Sequence, residues 1–474
     1  MKLSDEAYRQ ARALIASRLG LDFPETRRAD LERGLMRVCG TSSLSPPETY
    51  LTWLASFPGE SLEWMRLAGY LTVGETYFFR DRAVFEALEQ QVLPPLIAAR
   101  RAQGLLRLRL WSAGCATGEE PYSLAIVLHR LLPDREKWAL TILGTDINPD
   151  ALERARQGQY REWSLRETPS WIRDVYFRKQ SPGTVELDAR IRHMVSLAPL
   201  NLAADGYPAV LTNTSGMDLI LCRNVLMYFT CQAQEATVAR LQRALLPGGW
   251  LVLSPAEASV ELCRGLVAVN FPAYIMHRNG LARETAEMTS GSLQQIPLSP
   301  WPDAAPQNTP AETVGASPTA AAPLVARLAE PAEFPSENGT SLQRARALAD
   351  RGQLDEAGRV CEAALARDRL DPEAHLLLAT ICQEQGKISA ALEALRRAIY
   401  LAPDSASAHF LLGALLIQQG EHDRGRRSME TVMRLLSSVP RHEAVTGGDG
   451  WTAGRLLETA KAYLDLSARP GAAR

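Results

Sequence analysis

The chain has little that would mark a metalloenzyme, a secreted protein or a membrane protein. Its seven cysteines, Cys39, Cys115, Cys222, Cys231, Cys263, Cys361 and Cys382, are scattered with no C-x-x-C pair. They read as reduced, mostly packed thiols of a cytoplasmic protein. The seven histidines do not cluster with them, so no metal site is expected. No apolar run approaches the roughly 18–20 residues of a membrane span, and the N-terminus lacks an apolar signal-peptide core. Nor does one sign of charge dominate: 52 Lys and Arg against 54 Asp and Glu leave a net charge of -2. That removes a global attraction for nucleic acid, though not a local basic face.

What is present begins at Trp111-Ser-Ala-Gly-Cys-Ala-Thr-Gly-Glu-Glu-Pro-Tyr-Ser123. This stretch joins a strand-like segment, Leu105–Leu110, to a helix-like one, Ser123–Leu132. Strand, glycine turn and helix in that order open a nucleotide-handling α/β fold. Gly114 and Gly118 let backbone approach a ligand where a Cβ would collide. Glu119 and Glu120 stand where the helix begins and would repel a pyrophosphate there. The expected ligand therefore carries a ribose and a cationic group, and S-adenosylmethionine fits. A second strand, Trp138–Asp146, ends in an acid placed to accept hydrogen bonds from ribose hydroxyls. Asp146 could equally cap a helix, although Asn148 and Asp150 compete for that task. A strand at Met217–Cys222 and a Pro247-Gly-Gly249 turn before another strand follow. Gly-x-Gly-x-x-Gly is missing at the first turn, which argues against an oxidoreductase.

A chain of 474 residues is too long for one core. Residues 1–93 read as helical and 94–280 alternate strand and helix, with a small antiparallel β-subdomain expected at about 176–202. Residues 281–338 are rich in Pro, Ala, Ser and Thr and read as a disordered linker. Beyond it, at 339–440, Gly352-Gln-Leu-Asp-Glu-Ala357, Gly386-Lys-Ile-Ser-Ala-Ala391 and Gly420-Glu-His-Asp-Arg-Gly425 recur at a period of about 34 residues. Small residues recur with them (Ala357 with Ala391, Ala364 with Ala398, Ala379 with Gly413), as close helix pairs require. Period and pattern resemble about three tetratricopeptide repeats, with an ordinary helical bundle as the alternative, and 441–474 reads as a helical tail.

Thr76-Tyr-Phe-Phe-Arg-Asp81, Ser112–Ser123, Gly144-Thr-Asp-Ile-Asn148 and Cys222-Arg-Asn-Val-Leu-Met-Tyr-Phe229 resemble the CheR family of chemotaxis-type protein-glutamate O-methyltransferases. The similarity covers about Leu3 to Arg278, and the repeats place the chain with the branch of that family that carries them. The resemblance implies a Rossmann-like class I methyltransferase domain behind a helical N-terminal domain, with the active site between them. S-adenosyl-L-methionine would be the cofactor and S-adenosyl-L-homocysteine the product. Carried over by position, Thr76, Arg80, Glu120, Asp146, Asn201, Leu202, Arg223 and Asn224 would bind the cofactor, beside Gly114. Arg80 and Tyr228 would surround the reacting carboxylate. Gly74 stands where the family often has Asn, so a side-chain contact there is missing or made by backbone. Ser254-Pro-Ala-Glu257 replaces the usual Ser-Glu.

The reaction needs little acid–base chemistry, because a glutamate is already ionised at neutral pH. Arg80 could instead pair with Asp81, and Tyr228 could be a packed sheet-end tyrosine. The family's acceptors are cytoplasmic helices of methyl-accepting chemoreceptors, which would recruit the enzyme to membrane receptor arrays without membrane insertion. Arg27, Arg28, Arg33 and Arg37 lie at helical spacing to meet such an acidic helix, or form a solvated face balanced by Glu25, Asp30 and Glu32. The Gln180–Thr184 turn looks short for capturing a receptor tail peptide. The repeats read as a docking module for a protein partner that the sequence does not name, or for the enzyme's own domain. The rival functions are methyl transfer to another acceptor and a cofactor-sensing scaffold without turnover.

Overall fold

A computed structural model describes residues 3–42, 44, 46–57, 61–209, 212–271, 274–280, 341–350, 353–446 and 451–467. The expected linker at 281–338 lies outside the described residues.

The N-terminal helices are α1 (Asp5–Leu19), α2 (Arg28–Thr41), α3 (Pro47–Ala55) and α4 (Leu62–Leu71). Ser4 caps α1 by accepting from the Ala7 N–H, and Gly20 ends it in a left-handed conformation. Their apolar faces, with Ile15, Leu31, Leu35 and Trp64 fully enclosed, form one core. Helices α5 (Arg82–Ala87) and α6 (Leu93–Ala102), joined by a π-helical turn, lead into the sheet.

The sheet has seven strands in the order β6-β2-β1-β7-β8-β10-β9. Strands β1 (Arg107–Ala113), β2 (Ala139–Asp146), β6 (Val195–Pro199), β7 (Met217–Cys222) and β8 (Leu245–Leu253) run parallel; β9 (Val267–Phe271) and β10 (Tyr274–Arg278) close it antiparallel. Helices α7 (Glu119–Leu131), α8 (Pro149–Gln157) and α11 (Cys231–Ala244) cover its faces, with short α9 (Ser170–Tyr176) and α10 (Ala189–Arg192) beside them. The central strands are buried on both sides, so the charged residues they carry, Arg109 on β1 and Asp218 on β7, lie inside, with Arg109 N–H donating to Asp218 Oδ2 at 2.8 Å. A separate sheet, β3-β5-β4, joins β3 (Gln159–Arg161), β4 (Phe177–Ser181) and β5 (Thr184–Leu187). This differs from the expected subdomain at 176–202. Residues 195–199 pair in parallel with β2 and belong to the main sheet, while Gln159–Arg161 supplies the third subdomain strand. A four- or five-residue strand does not encode which sheet it joins.

Beyond residue 340 come three helix pairs, α12 (Ser341–Asp350) with α13 (Leu354–Arg367), α14 (Pro372–Glu384) with α15 (Ile388–Leu401), and α16 (Ala406–Gln418) with α17 (His422–Leu436). Gly386 and Gly420 take the positive φ that ends α14 and α16, as their periodic recurrence suggested. Ala357, Ala379, Ala391 and Ala398 are buried at the helix contacts. A last helix, α18 (Ala453–Ser467), packs on α17 and also reaches α4, α8 and β6. The repeats therefore sit against the α/β domain. Gln418 donates to Ser196 at 2.9 Å and Arg107 to the Glu384 carbonyl at 3.1 Å.

The N-terminal domain is clasped to the sheet at Gly20–Asp22. Asp22 N–H donates to Tyr228 O and Thr230 N–H to Gly20 O, both at 2.8 Å. A Cβ on Gly20 would lie 2.7 Å from the Ala203 Cβ and 3.0 Å from the Ala233 Cβ. Gly20→Ala is expected to cost about 1–3 kcal/mol by forcing these groups apart. Urea denaturation of the full chain measures it.

Candidate active site

Between the N-terminal domain and the C-terminal ends of β1, β2 and β7 lies a cleft of about 950 Å³, counted to its open mouth. Its size suits a nucleoside-sized ligand. Gly74, Thr76, Arg80, Gly114, Glu120, Asp146, Asn201, Leu202, Arg223, Asn224 and Tyr228 all line it. Phe229, from the Cys222–Phe229 motif, adds an apolar wall together with Leu19 and Leu21, which no motif announced.

The glycine turn works differently from a phosphate cradle. The Gly114 and Cys115 N–H groups both donate to Thr145 O, and Ala116 N–H donates to Asp146 Oδ2 at 2.8 Å. These donors are spent within the fold, so the turn supplies shape rather than anion binding. Gly114 is required because a Cβ would stand 2.4 Å from Val225. That contact brings the Val225–Tyr228 segment down onto the turn.

Asp146 ends β2 with one oxygen on Ala116 N–H and the other on Asn148 N–H. The helix cap is left to Asn148, whose side chain accepts from Asp150 and Ala151. Each carboxylate oxygen retains a lone pair for a ribose hydroxyl. Glu119 turns inward, buried against Thr117 and Ser164, whereas Glu120 faces the cleft. Glu120 accepts from Ser112 at 2.7 Å and from Arg223 at 3.1 Å. Burial raises the pKa of Glu120, against the pull of Arg223, and raises that of Asp146 against its backbone donors. Burial also works against the charge of Arg223, but Glu120, Tyr274 and Asp81 outweigh it and hold the guanidinium ionised.

Arg223 also donates to Arg80 O at 2.8 Å and pairs with Asp81. Asp81 is thus engaged with Arg223, and the Arg80 guanidinium bonds Glu75 O at 2.8 Å. Phe78 and Phe79 are fully buried and anchor the loop that carries Thr76 and Arg80 to the cleft. Tyr228 lies in a short 3-10 turn with its ring under the Arg27 guanidinium, 5.3 Å from centroid to Cζ. It lines the cleft rather than packing at a sheet end.

Glu257 restores the geometry that the Ser254–Glu257 insertion put in doubt. Its carboxylate accepts from Asn224 N–H at 2.8 Å, Met227 N–H at 3.2 Å and both N–H and hydroxyl of Ser254. It thereby holds Asn224 at φ 58°. The Asn224 Oδ1 and Arg223 Nε atoms are buried without a partner among the described residues. Asn224 lines the cleft with Asp146 and Glu120, and its open acceptor fits a ligand with an amino function. Asn201 is different. Its amide donates to Arg18 O and accepts from Ala203 N–H, so it braces the N-terminal domain with its side chain.

The four basic candidates separate. Arg28 is held by Asp5, Glu25, Glu32 and Leu3 O, with its side chain 21% exposed. Arg27 stacks between Phe23 and Tyr228. Arg33, paired with Asp30, and Arg37 remain exposed on α2 with Met36. Among the described residues no group of side chains could hold a metal ion, and no helix is long and apolar enough to cross a membrane.

Glu257→Ala is expected to release the 224–228 segment, leaving two or three N–H groups unpaired and costing about 1–3 kcal/mol for each one that stays buried. Cofactor affinity should fall with stability, and Glu257→Gln should recover part of both. Calorimetric titration with thermal melts measures this.

The arrangement binds adenosylmethionine, and comparison with known proteins agrees. Residues 74–267 match the family described as CheR methyltransferase, SAM binding domain, and 342–398 and 379–420 match tetratricopeptide repeats. The chain is 30% identical over 430 residues to the probable biofilm formation methyltransferase WspC of Pseudomonas putida, covering 89% of this chain and 96% of that one. The Pseudomonas aeruginosa protein of the same description is 29% identical, covering 89% and 97%. The chemotaxis protein methyltransferase of Escherichia coli is 34% identical over 265 residues, 54% of this chain and 86% of that one. A methyl-donor cleft of this construction, joined to three helical repeats and matched along nearly the whole chain, makes this protein a member of the CheR family of S-adenosylmethionine-dependent methyltransferases.

Proposed function

We propose that the chain esterifies glutamate side chains on the cytoplasmic helices of methyl-accepting chemoreceptor-type proteins, tuning adaptation in a chemotaxis-like or surface-sensing pathway. The observation that carries this reading is what the acceptor side of the cleft holds. Arg80 and Tyr228 face it with Arg27 behind them, and no His or Lys lines it among the described residues. Its one thiol, Cys115, is buried, which pushes its pKa far above the ordinary value and keeps it protonated. The cleft's carboxylates Glu120 and Asp146 are engaged with Ser112, Arg223 and backbone N–H groups, so a site of this make-up suits an acceptor that arrives already ionised. The relatives, a chemotaxis methyltransferase and probable biofilm formation methyltransferases, point the same way.

When bound, adenosylmethionine supplies a methyl carbon on cationic sulfur, whose bond breaks as the acceptor oxygen bonds, leaving S-adenosylhomocysteine and an ester with no proton to move. Asp146 would accept from the ribose, while Glu120 and Asn224 Oδ1 would face the cationic end. Arg80 would orient a carboxylate, held in place by its bond to Glu75 O. Tyr228 would line the methyl path and exclude water. Arg33 and Arg37, exposed on α2, would meet an acidic helix, with Arg27 behind Tyr228; Arg28 serves the fold. The two-residue Pro182-Gly183 hairpin turn, with Gly183 at φ 78°, supports independence from a receptor tail peptide.

Gly74 is exposed, and a Cβ there would meet only Ala116, at 3.9 Å. An asparagine fits without strain.

Arg80→Ala and Tyr228→Phe should fold normally and lose about 100-fold or more in turnover. Labelled adenosylmethionine with receptor-containing membranes, scored as base-labile methyl esters, tests this. Near-normal transfer by both variants would refute the roles. The raised pKa values of Glu120 and Asp146 set a second expectation. Their protonation begins above the ordinary carboxylate range of about 4, so cofactor affinity should start to fall there on acidification, with protons released on binding. Calorimetry in buffers of different ionisation enthalpy reads both the affinity and the proton count.

A further inference from the structure

The wall of the cofactor cleft has a second side. Opposite the cleft lies a smaller cavity, whose lining includes Thr145, Leu200 and Asn201 from the α/β domain and Phe410, Trp451 and Tyr463 from the repeat module. Leu200 and Asn201 line both spaces and form the partition between them. We propose that the docked repeat module is an intramolecular effector of the methyl-donor pocket, in which α16 and α18 brace the Leu200–Asn201 partition from behind and thereby set the affinity for adenosylmethionine.

Three kinds of contact hold the module there. At the start of β2, a Cβ on Gly386 would stand 2.3 Å from the Ala139 Cβ, so the turn after α14 is seated directly on the strand. At the C-terminus of α14, Arg107 of β1 donates to the Glu384 carbonyl, and at that of α16, Gln418 donates to Ser196 of β6. Helix α18 also packs against α8, whose Arg156 donates to Leu197 O at 3.1 Å. Both Ser196 and Leu197 lie on β6, the strand that runs straight into the partition. Strain at the module therefore has a short covalent path to the cleft. Asn201 extends that path, because its amide bonds Arg18 O at the N-terminal clasp. Releasing the module would loosen the partition and the clasp together, and a loosened wall must be re-ordered when the cofactor binds. By reciprocity, a protein that drew the repeats away would be opposed by adenosylmethionine to the same factor.

The inference rests on the cofactor site alone and not on the identity of the acceptor. Two full-length variants test it by binding of S-adenosylhomocysteine. Ala139→Arg drives a long side chain into the space that Gly386 fills. Tyr463→Ala removes the module's own ring from the lining of the cavity behind the partition, and keeps the test decisive if the strand variant fails to fold. Calorimetry gives the affinity, and hydrogen exchange at residues 197–202 reports the wall. Affinity should drop by at least about fivefold with faster exchange across the wall. Affinity within about twofold of the parent chain overturns the proposal. Weaker binding without faster exchange at the wall overturns it too, since the coupling would then run by another route.

Discussion

The buried guanidinium of Arg223 ties together three segments that are far apart in the chain. It reaches Glu120 at the head of α7, Asp81 and the Arg80 carbonyl on the loop before α5, and it stands at the exit of β7. A charge this enclosed is tolerable only while its partners are in place; removing one partner of such a pair costs about 3–5 kcal/mol. The same bonds put Arg80, Glu120 and Tyr228 around one cleft. Stability of the domain and geometry of the site are thus one constraint.

Around that constraint the backbone is held in unfavourable places. Phe79, Asp81 and Asn224 are non-glycine residues at positive φ, and all three flank Arg223 or its partners. Each is over-determined by its surroundings: Phe79 by burial and its bond to Ser123, Asp81 by Arg223, Asn224 by Glu257. The insertion of Pro255 and Ala256 leaves this intact, because the longer turn lets Glu257 fold back onto Ser254.

Features that depend on neighbours in sequence were legible before the structure. The glycine turn, the strand-end Asp146 and the 34-residue repeat carry their own local signatures, and all appear where expected. What was hidden depends on distant partners. Four arginines share one helical spacing, yet Arg28 is taken by Asp5 and Leu3 O and Arg27 by an aromatic ring from residue 228. Asn201 lines the cleft as expected, yet its side-chain amide is committed to a carbonyl 183 residues earlier. The strand at 195–199 looks like subdomain until its pairing with β2 is known. The seat of the repeats on β2 and β6 could not be read from their period, since a repeat encodes its own stacking and not what its ends touch.

The arginine that lines the cleft beside Tyr228, Arg80, has one further consequence. The proposed acceptor enters as an anion and leaves as a neutral ester, so the reaction erases the charge that drew it in. On the proposed reading, Arg80 would hold the product more weakly than the substrate. Product inhibition by the methylated helix should be slight, and a helix already modified at one position would be released rather than retained. On that reading charge would tell unmodified from modified acceptor, and the residue that captures the acceptor would also favour its release.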